Sequence, residues 1–273
     1  THTAGVPTVW LMLLNHMAAG NLKLPHLRMV VCGGSAMPRS MIKSFVDMGV
    51  EVRHAWGMTE MSPLGTLATL KPPFDALEGE ARLDILQTQG YPPYGVEMKI
   101  TDDAGKPLPW DGKTFGRLKV SGPAIAKAYF RVDTDILDEE GYFDTGDVAT
   151  IDAHGYMRIT DRSKDVIKSG GEWISSIDLE NLAVGHPAVA EAAVIGIHHP
   201  KWDERPLLIV QLKAGQNATR EDILNYMDGK IAKWWMPDDV AFVEGIPHTA
   251  TGKILKTALR DQFKAYRFPN AAA

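Results

Sequence analysis

Apolar residues recur at helical spacing near the start of the chain, through Val9, Leu13 and Met17, and predict a helix there. A strand-like run, Arg28-Met29-Val30-Val31, follows and ends in the small-residue turn Cys32-Gly33-Gly34-Ser35-Ala36. Pro38 then opens a helical pattern through Ile42, Phe45 and Met48, so the segment reads as strand, tight turn and helix. Residues 50–55 read as the next short strand, which ends where Trp56-Gly57-Met58-Thr59-Glu60 replaces the apolar alternation with small and polar residues. Two successive strand ends therefore carry unusual turns. In an open α/β sheet ligands bind outside the carboxyl ends of strands, so both turns are expected to border one pocket.

From about Thr69 to Thr160 the pattern changes to short alternating runs, such as Val96-Glu97-Met98-Lys99-Ile100 and Gly116-Arg117-Leu118-Lys119-Val120, separated by turns containing Pro and Gly. That predicts a small β-rich unit. The charged stretch Asp161-Arg162-Ser163-Lys164-Asp165 marks a domain boundary. Beyond it, Ser175 with Asp178 predicts a capped helix through Leu179 and Leu182, and Thr219 with Asp222 another through Ile223, Tyr226 and Ile231. Strands at 191–197 and 207–212 lie between them. The last hundred or so residues can bury a core of their own, and the only low-complexity tract is Ala271-Ala272-Ala273.

Composition narrows the classes. The 273 residues are 45% hydrophobic and 23% charged, as in folded proteins. With 29 Lys and Arg against 34 Asp and Glu the formal net charge is −5, so no global field draws the chain to nucleic acid or an anionic membrane. Any phosphate must be held by a local site. One cysteine, Cys32, makes neither an intrachain disulfide nor a Cys-rich zinc cluster, which fits a reducing compartment, and a cytoplasmic location is expected. The longest apolar stretch, 9–14, falls far short of the ~20 residues a spanning helix needs. Thr1 opens directly into a helical pattern, so the start is expected to be cut from something longer.

The candidate chemistry lies in the turns. Gly33-Gly34-Ser35-Ala36 offers bare backbone against which a flat ring can lie, or is simply a tight turn. Trp56-Gly57-Met58-Thr59-Glu60 brings an aromatic face, a gap, a hydroxyl and a carboxylate together; these suit base stacking, a phosphate oxygen and Mg²⁺, against the alternatives of core packing and a solvated face. In Tyr142-Phe143-Asp144-Thr145-Gly146-Asp147 a carboxylate beside Gly suits a ribose diol, and ordinary turn chemistry explains it equally well. Arg162 and Lys164 flank the boundary, where a guanidinium can reach sugar or phosphate and the chain can pivot. Lys168-Ser169-Gly170-Gly171-Glu172 permits close approach of an extended ligand, or is a hairpin. Thr249-Ala250-Thr251-Gly252-Lys253 sets a lysine in a small loop before a helix through Leu255 and Leu259, with a plain surface lysine as the alternative. Gly112-Lys113-Thr114 is not a Walker loop, because Pro107 stands where the first glycine belongs. Ser35 lacks the Gly-x-Ser-x-Gly elbow, and His198 and His199 have no spaced partner for a metal site.

In order and character these turns resemble the later core motifs of the adenylate-forming enzymes, specifically the medium- and long-chain fatty acyl-CoA synthetases. The resemblance spans nearly the whole chain and is most specific at Trp56-Gly57-Met58-Thr59-Glu60, 142–147, 161–175 and 249–253. It implies an α/β fold: the remainder of a large N-terminal domain (1–161), with a parallel-sheet part and a barrel-like β unit at about 69–160, then a hinge at 162–166 and a small mobile α+β domain at 167–273. It implies an AMP-forming ligase that uses ATP and Mg²⁺ to activate a medium- or long-chain carboxylic acid and passes the acyl group to CoA. Gly33, Gly34, Ser35 and Ala36 would lie along the adenine, with Trp56 stacking where many relatives have Tyr. Gly57 and Met58 would belong to the same nucleotide turn. Thr59 would touch the α-phosphate and Glu60 would hold Mg²⁺; Asp147 would take the ribose hydroxyls, and Arg162 ribose or phosphate. Lys164 would be the pivot, Gly170 and Gly171 would line the pantetheine channel, and Lys253 would be the lysine of adenylation. His248 replaces the Arg or Lys often found in that last motif.

Acetate-activating relatives carry Trp at the place matching Gly57, so the acyl pocket should run deeper here, lined by Met58, Met61 and Leu64. The family's Thr/Ser/Gly-rich phosphate loop is not found in this sequence, so residues 1–273 alone are expected to turn over poorly. Loading of a carrier protein instead of CoA, and a non-catalytic nucleotide-binding fragment, stay open as alternatives, as does a homodimer.

Overall fold

The computed structural model describes residues 1–72, 74–249 and 252–269. Ala250 and Thr251 of the lysine loop, and the terminal Ala271-Ala272-Ala273, lie outside the described residues. The chain forms two compact units, Thr1–Ile159 and Thr160–Ala273.

In the first unit β1 (His2–Gly5) leads into α1 (Pro7–Gly20). Pro7 occupies the first turn, where its missing N–H has no helical partner to lose, and Asn21 ends the helix in the left-handed region at φ 48°. Then come β2 (Met29–Cys32), α2 (Arg39–Asp47), β3 (Glu51–Gly57) and β4 (Leu64–Leu67). They form a sheet in the order β1-β2-β3-β4, parallel among the first three strands and antiparallel between β3 and β4. The stripe Met41, Ile42 and Phe45 of α2 packs on Val30, Cys32, Val50 and Val52 of the sheet, the i, i+1, i+4 spacing that aims one helix face at a core.

The strand β3 runs two residues beyond the sequence pattern. Trp56 and Gly57 pair with Thr66 and Leu64, so they are strand residues rather than members of a turn. The tight turn follows them, as a 3₁₀ segment at Thr59–Met61.

The segment expected to be β-rich begins with a helix, α3 (Gly79–Gln87). The strands β5 (Glu97–Thr101), β6 (Gly116–Ser121), β7 (Phe143–Ile151) and β8 (Met157–Arg162) follow and make a sheet in the order β5-β6-β7-β8. The barrel-like expectation is thus realised as a four-stranded sheet with β5 and β8 at its edges. Its buried face carries Met98, Ile100, Leu118, Val120, Ala149 and Ile151.

The second unit contains β9 (Ile167–Ser169), β10 (Glu172–Ile174), α4 (Ser176–Val184), β11 (Val189–His199), β12 (Asp203–Leu212), α5 (Arg220–Met227), β13 (Asp239–Phe242) and α6 (Lys256–Gln262). The long antiparallel pair β11 and β12 is its spine, with β13 parallel to β12. Alternation along β11 splits the core in two. Val194 faces Leu179 of α4 and Ile223 of α5, while Ala193 and Ile195 face Leu259 of α6. Ser175 caps α4 by accepting the Asp178 N–H, and Thr219 with Asp222 forms a reciprocal capping box on α5. The helix α5 stops at Met227 rather than reaching Ile231, because Gly229 turns the chain at φ +74°. Among the described residues no helix is long and apolar enough to cross a membrane.

Candidate nucleotide and acyl-transfer site

Each unit carries part of the candidate set. In the first, the turn Gly33-Gly34-Ser35-Ala36 leaves the end of β2, with Gly34 at φ +89°. Gly34 and Ser35 are exposed. The turn is anchored from behind: the Met37 N–H donates to His54 Nε2 at 3.2 Å, and His54 Nδ1 lies 3.2 Å from the Gln87 carbonyl oxygen. Burial pushes the His54 imidazole down to about 4, so it is neutral at ordinary pH. Its Nε2 accepts, which puts the proton on Nδ1 to donate to Gln87. The sequence reading missed His54. The signal was a polar residue at the same inward period-2 position as Val52.

Trp56 is half-buried, and its indole occupies space left by Gly65, where a Cβ would stand 2.4 Å from the ring. Its Nε1–H donates to Asp147 Oδ2 at 2.9 Å. Asp147 is buried on β7 at a wide irregularity. Arg117 pairs with Val148 and Lys119 with Asp144, so Thr145, Gly146 and Asp147 stand opposite Leu118 alone. Such a bulge re-aims side chains. Gly146 absorbs it at φ +70°, and the Thr145 hydroxyl fixes it by donating to the Leu118 carbonyl at 2.8 Å and accepting the Asp147 N–H at 3.1 Å.

Gly57 is constrained by backbone. A Cβ there would lie 1.9 Å from the Pro63 carbonyl oxygen, which accepts the Met58 N–H at 2.9 Å. The missing side chain therefore serves the β3–β4 closure itself. Of the three residues expected to line an acyl pocket, Met61 is buried in the core of the β5–β8 sheet, Met58 packs against that core, and Leu64 is exposed. Met61 thus belongs to the core because the 3₁₀ turn folds its side chain under the strand end. Thr59 is exposed. The Glu60 carboxylate accepts the Tyr129 hydroxyl at 2.7 Å, and the Glu60 carbonyl accepts the Ala126 N–H at 2.7 Å. Tyr129 is a second residue that the sequence reading did not pick out.

In the second unit Arg162 ends β8, and its carbonyl accepts the N–H groups of Asp165 and Val166 at 2.8 and 2.9 Å, so the residues after it form one tight turn. Lys164 is exposed on that turn. Gly170 and Gly171 join β9 to β10 as a two-residue hairpin with both φ values positive, +60° and +87°, the geometry that favours glycine at both places. The Gly170 N–H donates to the Trp202 carbonyl at 2.8 Å, and the Trp202 ring stands beside Gly170. Lys253 is exposed in a turn closed by Thr249, whose N–H donates to the Lys253 carbonyl at 2.8 Å and whose hydroxyl accepts the Lys253 N–H at 3.1 Å. His248, flanking this turn, pairs with Glu191 at 2.6 Å.

Gly112-Lys113-Thr114 is a plain Asx-type turn. Asp111 accepts the N–H groups of Lys113 and Thr114, which hold its carboxyl down at about 2.

Comparison with known proteins matches residues 1–130 to the family described as AMP-binding enzyme, and 178–253 to AMP-binding enzyme C-terminal domain. The 3-methylmercaptopropionyl-CoA ligase of Ruegeria lacuscaerulensis is 52% identical over 97% of this chain and 49% of its own. The medium-chain-fatty-acid–CoA ligase of Ectopseudomonas oleovorans is 49% identical over 95% of this chain and 48% of its own. The anthranilate CoA ligase AuaEII, in complex with anthranoyl-AMP, superimposes with a TM-score of 0.83 at 28% identity, over 96% of this chain and 49% of its own. The chain spans about half the length of the curated relatives it matches.

Proposed function

The chain belongs to the AMP-binding enzyme family, and on that premise we propose that it carries the nucleotide- and acyl-handling elements of an AMP-forming acyl-CoA ligase acting on a medium- or longer-chain aliphatic acid. The observation that carries the reading is the buried Asp147 carboxylate, turned by the bulge in β7 and held by the Trp56 indole N–H. A carboxylate so oriented accepts both hydroxyls of a ribose. The turn Gly33-Gly34-Ser35-Ala36, backed by His54, gives the adenine a wall without side-chain bulk.

The chemistry follows from charge. The acid's carboxylate attacks the α-phosphorus of ATP; the new P–O bond forms as pyrophosphate leaves. Two anionic groups meet, so an ammonium bridging them lowers the barrier, and Lys253 supplies it. Thr59 donates its hydroxyl to an α-phosphate oxygen, and Arg162 binds ribose or phosphate. The thiolate of CoA then attacks the acyl carbonyl, and AMP departs with the bond electrons. The reading takes 162–166 as the pivot about which residues 167–273 turn between the two steps, withdrawing Lys253 and presenting Gly170 and Gly171.

The residues present suit Mg²⁺ carried in on polyphosphate. Among the described residues there is no group of three or more His, Cys, Asp or Glu that could hold a metal, whereas Mg²⁺ beside phosphates needs only one or two protein carboxylates. Glu60, oriented by Tyr129, would be that ligand. When bound, the ion neutralises charge on the phosphates. A cytoplasmic setting accords with the single thiol, Cys32, which is buried and pushed up to about 12 by burial.

A second reading of the acid is 3-methylmercaptopropionate, a short thioether acid, favoured by the 52% identity to a ligase of that name. The test is a panel of acids from propionate to dodecanoate, with 3-methylmercaptopropionate included, assayed for ATP-dependent thioester formation by a protein in which residues 1–273 are joined to a phosphate-loop half, because residues 1–273 alone are expected to turn over poorly. A kcat/KM maximum at six to twelve carbons supports the first reading, and a maximum at the thioether acid the second. No thioester with any acid, together with no pyrophosphate exchange, would falsify the ligase assignment.

A further inference from the structure

The second unit contains a buried charge cluster built from residues that have no role in the account above. The Lys256 ammonium, at the start of α6, lies 2.8 Å from Glu180 Oε1 and 3.9 Å from Asp161 Oδ1, and donates to the Ser176 hydroxyl. Ser176 donates in turn to Asp161 Oδ2, through its hydroxyl and through its backbone N–H at 3.1 Å. Glu180 Oε1 also accepts the Val194 N–H at 2.8 Å. Only 11% of the Lys256 side chain, 13% of Glu180 and 2% of Asp161 is exposed. One ammonium therefore fastens α6 to the end of β8 and to α4, and through Glu180 to β11. One turn along α6, Arg260 pairs with Asp165 at 2.6 Å.

Two carboxylates share this one lysine. Burial raises both Asp161 and Glu180 above their usual range; burial also pulls Lys256 down, but Glu180 and Asp161 outweigh it and leave Lys256 raised. A buried ion pair is a poor source of stability compared with a well-packed apolar residue. What it supplies is direction, since an ammonium with three donors fixes three neighbours at once.

Lys256 follows Lys253 by three residues. Between them Ile254 bridges to His248, and the Leu255 N–H donates to the Pro247 carbonyl at 2.8 Å. The Lys253 turn is thus held at one end by His248 on Glu191 and at the other by Lys256 on Glu180. We propose that Lys256 is the positioning residue for Lys253, fixing through Glu180 and Asp161 the point to which the Lys253 ammonium is delivered. The proposal rests on the reading of Lys253 as the lysine of adenylation.

The test measures both half-reactions in a protein that joins residues 1–273 to a phosphate-loop half, as ATP–pyrophosphate exchange and as thioester formation from a supplied acyl-adenylate. Lys256→Met should slow exchange about 10- to 100-fold with the ATP KM within about threefold and thioester formation within about twofold, as misplacement of a catalytic group by an ångström does. Lys256→Arg, which keeps the charge and the reach, should restore most of the exchange rate. Equal loss in both half-reactions, or a loss that disappears once rates are normalised to folded protein, would overturn the proposal. If Lys256→Met does not fold, Glu180→Gln makes the same comparison with shape kept and one charge removed. Lys253→Ala separates the two levels: unchanged exchange in that variant removes the underlying reading, whereas lost exchange there with normal exchange in folded Lys256→Met and Glu180→Gln overturns the positioning role alone.

Discussion

The indole N–H of Trp56 and the carboxylate of Asp147, 91 positions apart in sequence, meet at 2.9 Å. The contact joins β3 to the bulge of β7 and fixes the way the Asp147 carboxylate is turned. Hydrogen bonds to charged groups are worth about 1.5–3 kcal/mol, and half-burial puts this one near the lower end. Trp56→Phe keeps an aromatic face and removes the donor. The ATP KM in pyrophosphate exchange should rise roughly tenfold, the arithmetic of about 1.4 kcal/mol, while the KM for the acid stays unchanged. An equal rise in both would assign Trp56 to general packing.

Gly57 tests backbone closure. Its absent Cβ would meet the Pro63 carbonyl at 1.9 Å, against peptide atoms that cannot rotate away. Gly57→Ala should destabilise the first unit by about 2 kcal/mol, in the range of overpacking substitutions, read as a lowered urea midpoint. The larger Gly57→Trp change is expected to unfold the β3–β4 closure before it can shorten an acyl pocket. A folded Gly57→Trp protein that only shifts its acid preference would contradict this.

His54 makes stability depend on pH. Its folded value, about 4, lies below the 6.5 of an ordinary imidazole. The unfolded chain therefore binds the proton more readily, and the contribution of His54 is full above about 6.5 and lost as pH falls through 4. The difference corresponds to a figure on the order of 3 kcal/mol. Urea midpoints of wild type should fall between pH 7 and pH 4 by more than those of His54→Gln, which keeps an acceptor for Met37 without titrating.

Tyr129→Phe removes the hydroxyl that orients Glu60. Tyr129 is exposed, so the effect should be small: a rise of about two- to fivefold in the Mg²⁺ concentration needed for half-maximal exchange, with the melting temperature unchanged, as expected of a screened surface contact. Direct Mn²⁺ titration by electron paramagnetic resonance in the presence of ATP should show the same shift.

Much of this was legible in the residues because burial imposes a period. The succession of β2, turn and α2 could be read directly, since Val30, Met41, Ile42 and Phe45 are buried in one cluster at strand and helix spacing. The caps at Ser175 and Thr219 were legible for a different reason: their partners lie three residues away. What escaped depends on distant segments. The extension of β3 through Trp56 and Gly57 exists because β4 returns to pair with it. The helix α3 buries only Leu83 and Leu86, too thin a stripe to announce a helix. Lys256 and Glu180 stand 76 positions apart, so their pairing exists only once the fold closes over them.

The irregularity in β7 also governs which kinds of genetic change this protein can absorb. Five residues there, 144–148, lie against three on β6, and side chains alternate faces along a strand. Deleting one codon between Asp144 and Val148 would turn Asp147 toward the opposite face while leaving every amino acid around it intact. The reading length of this stretch is locked, and a homologue one residue shorter here should no longer present a carboxylate to the indole at the position of Trp56, whatever else it retains.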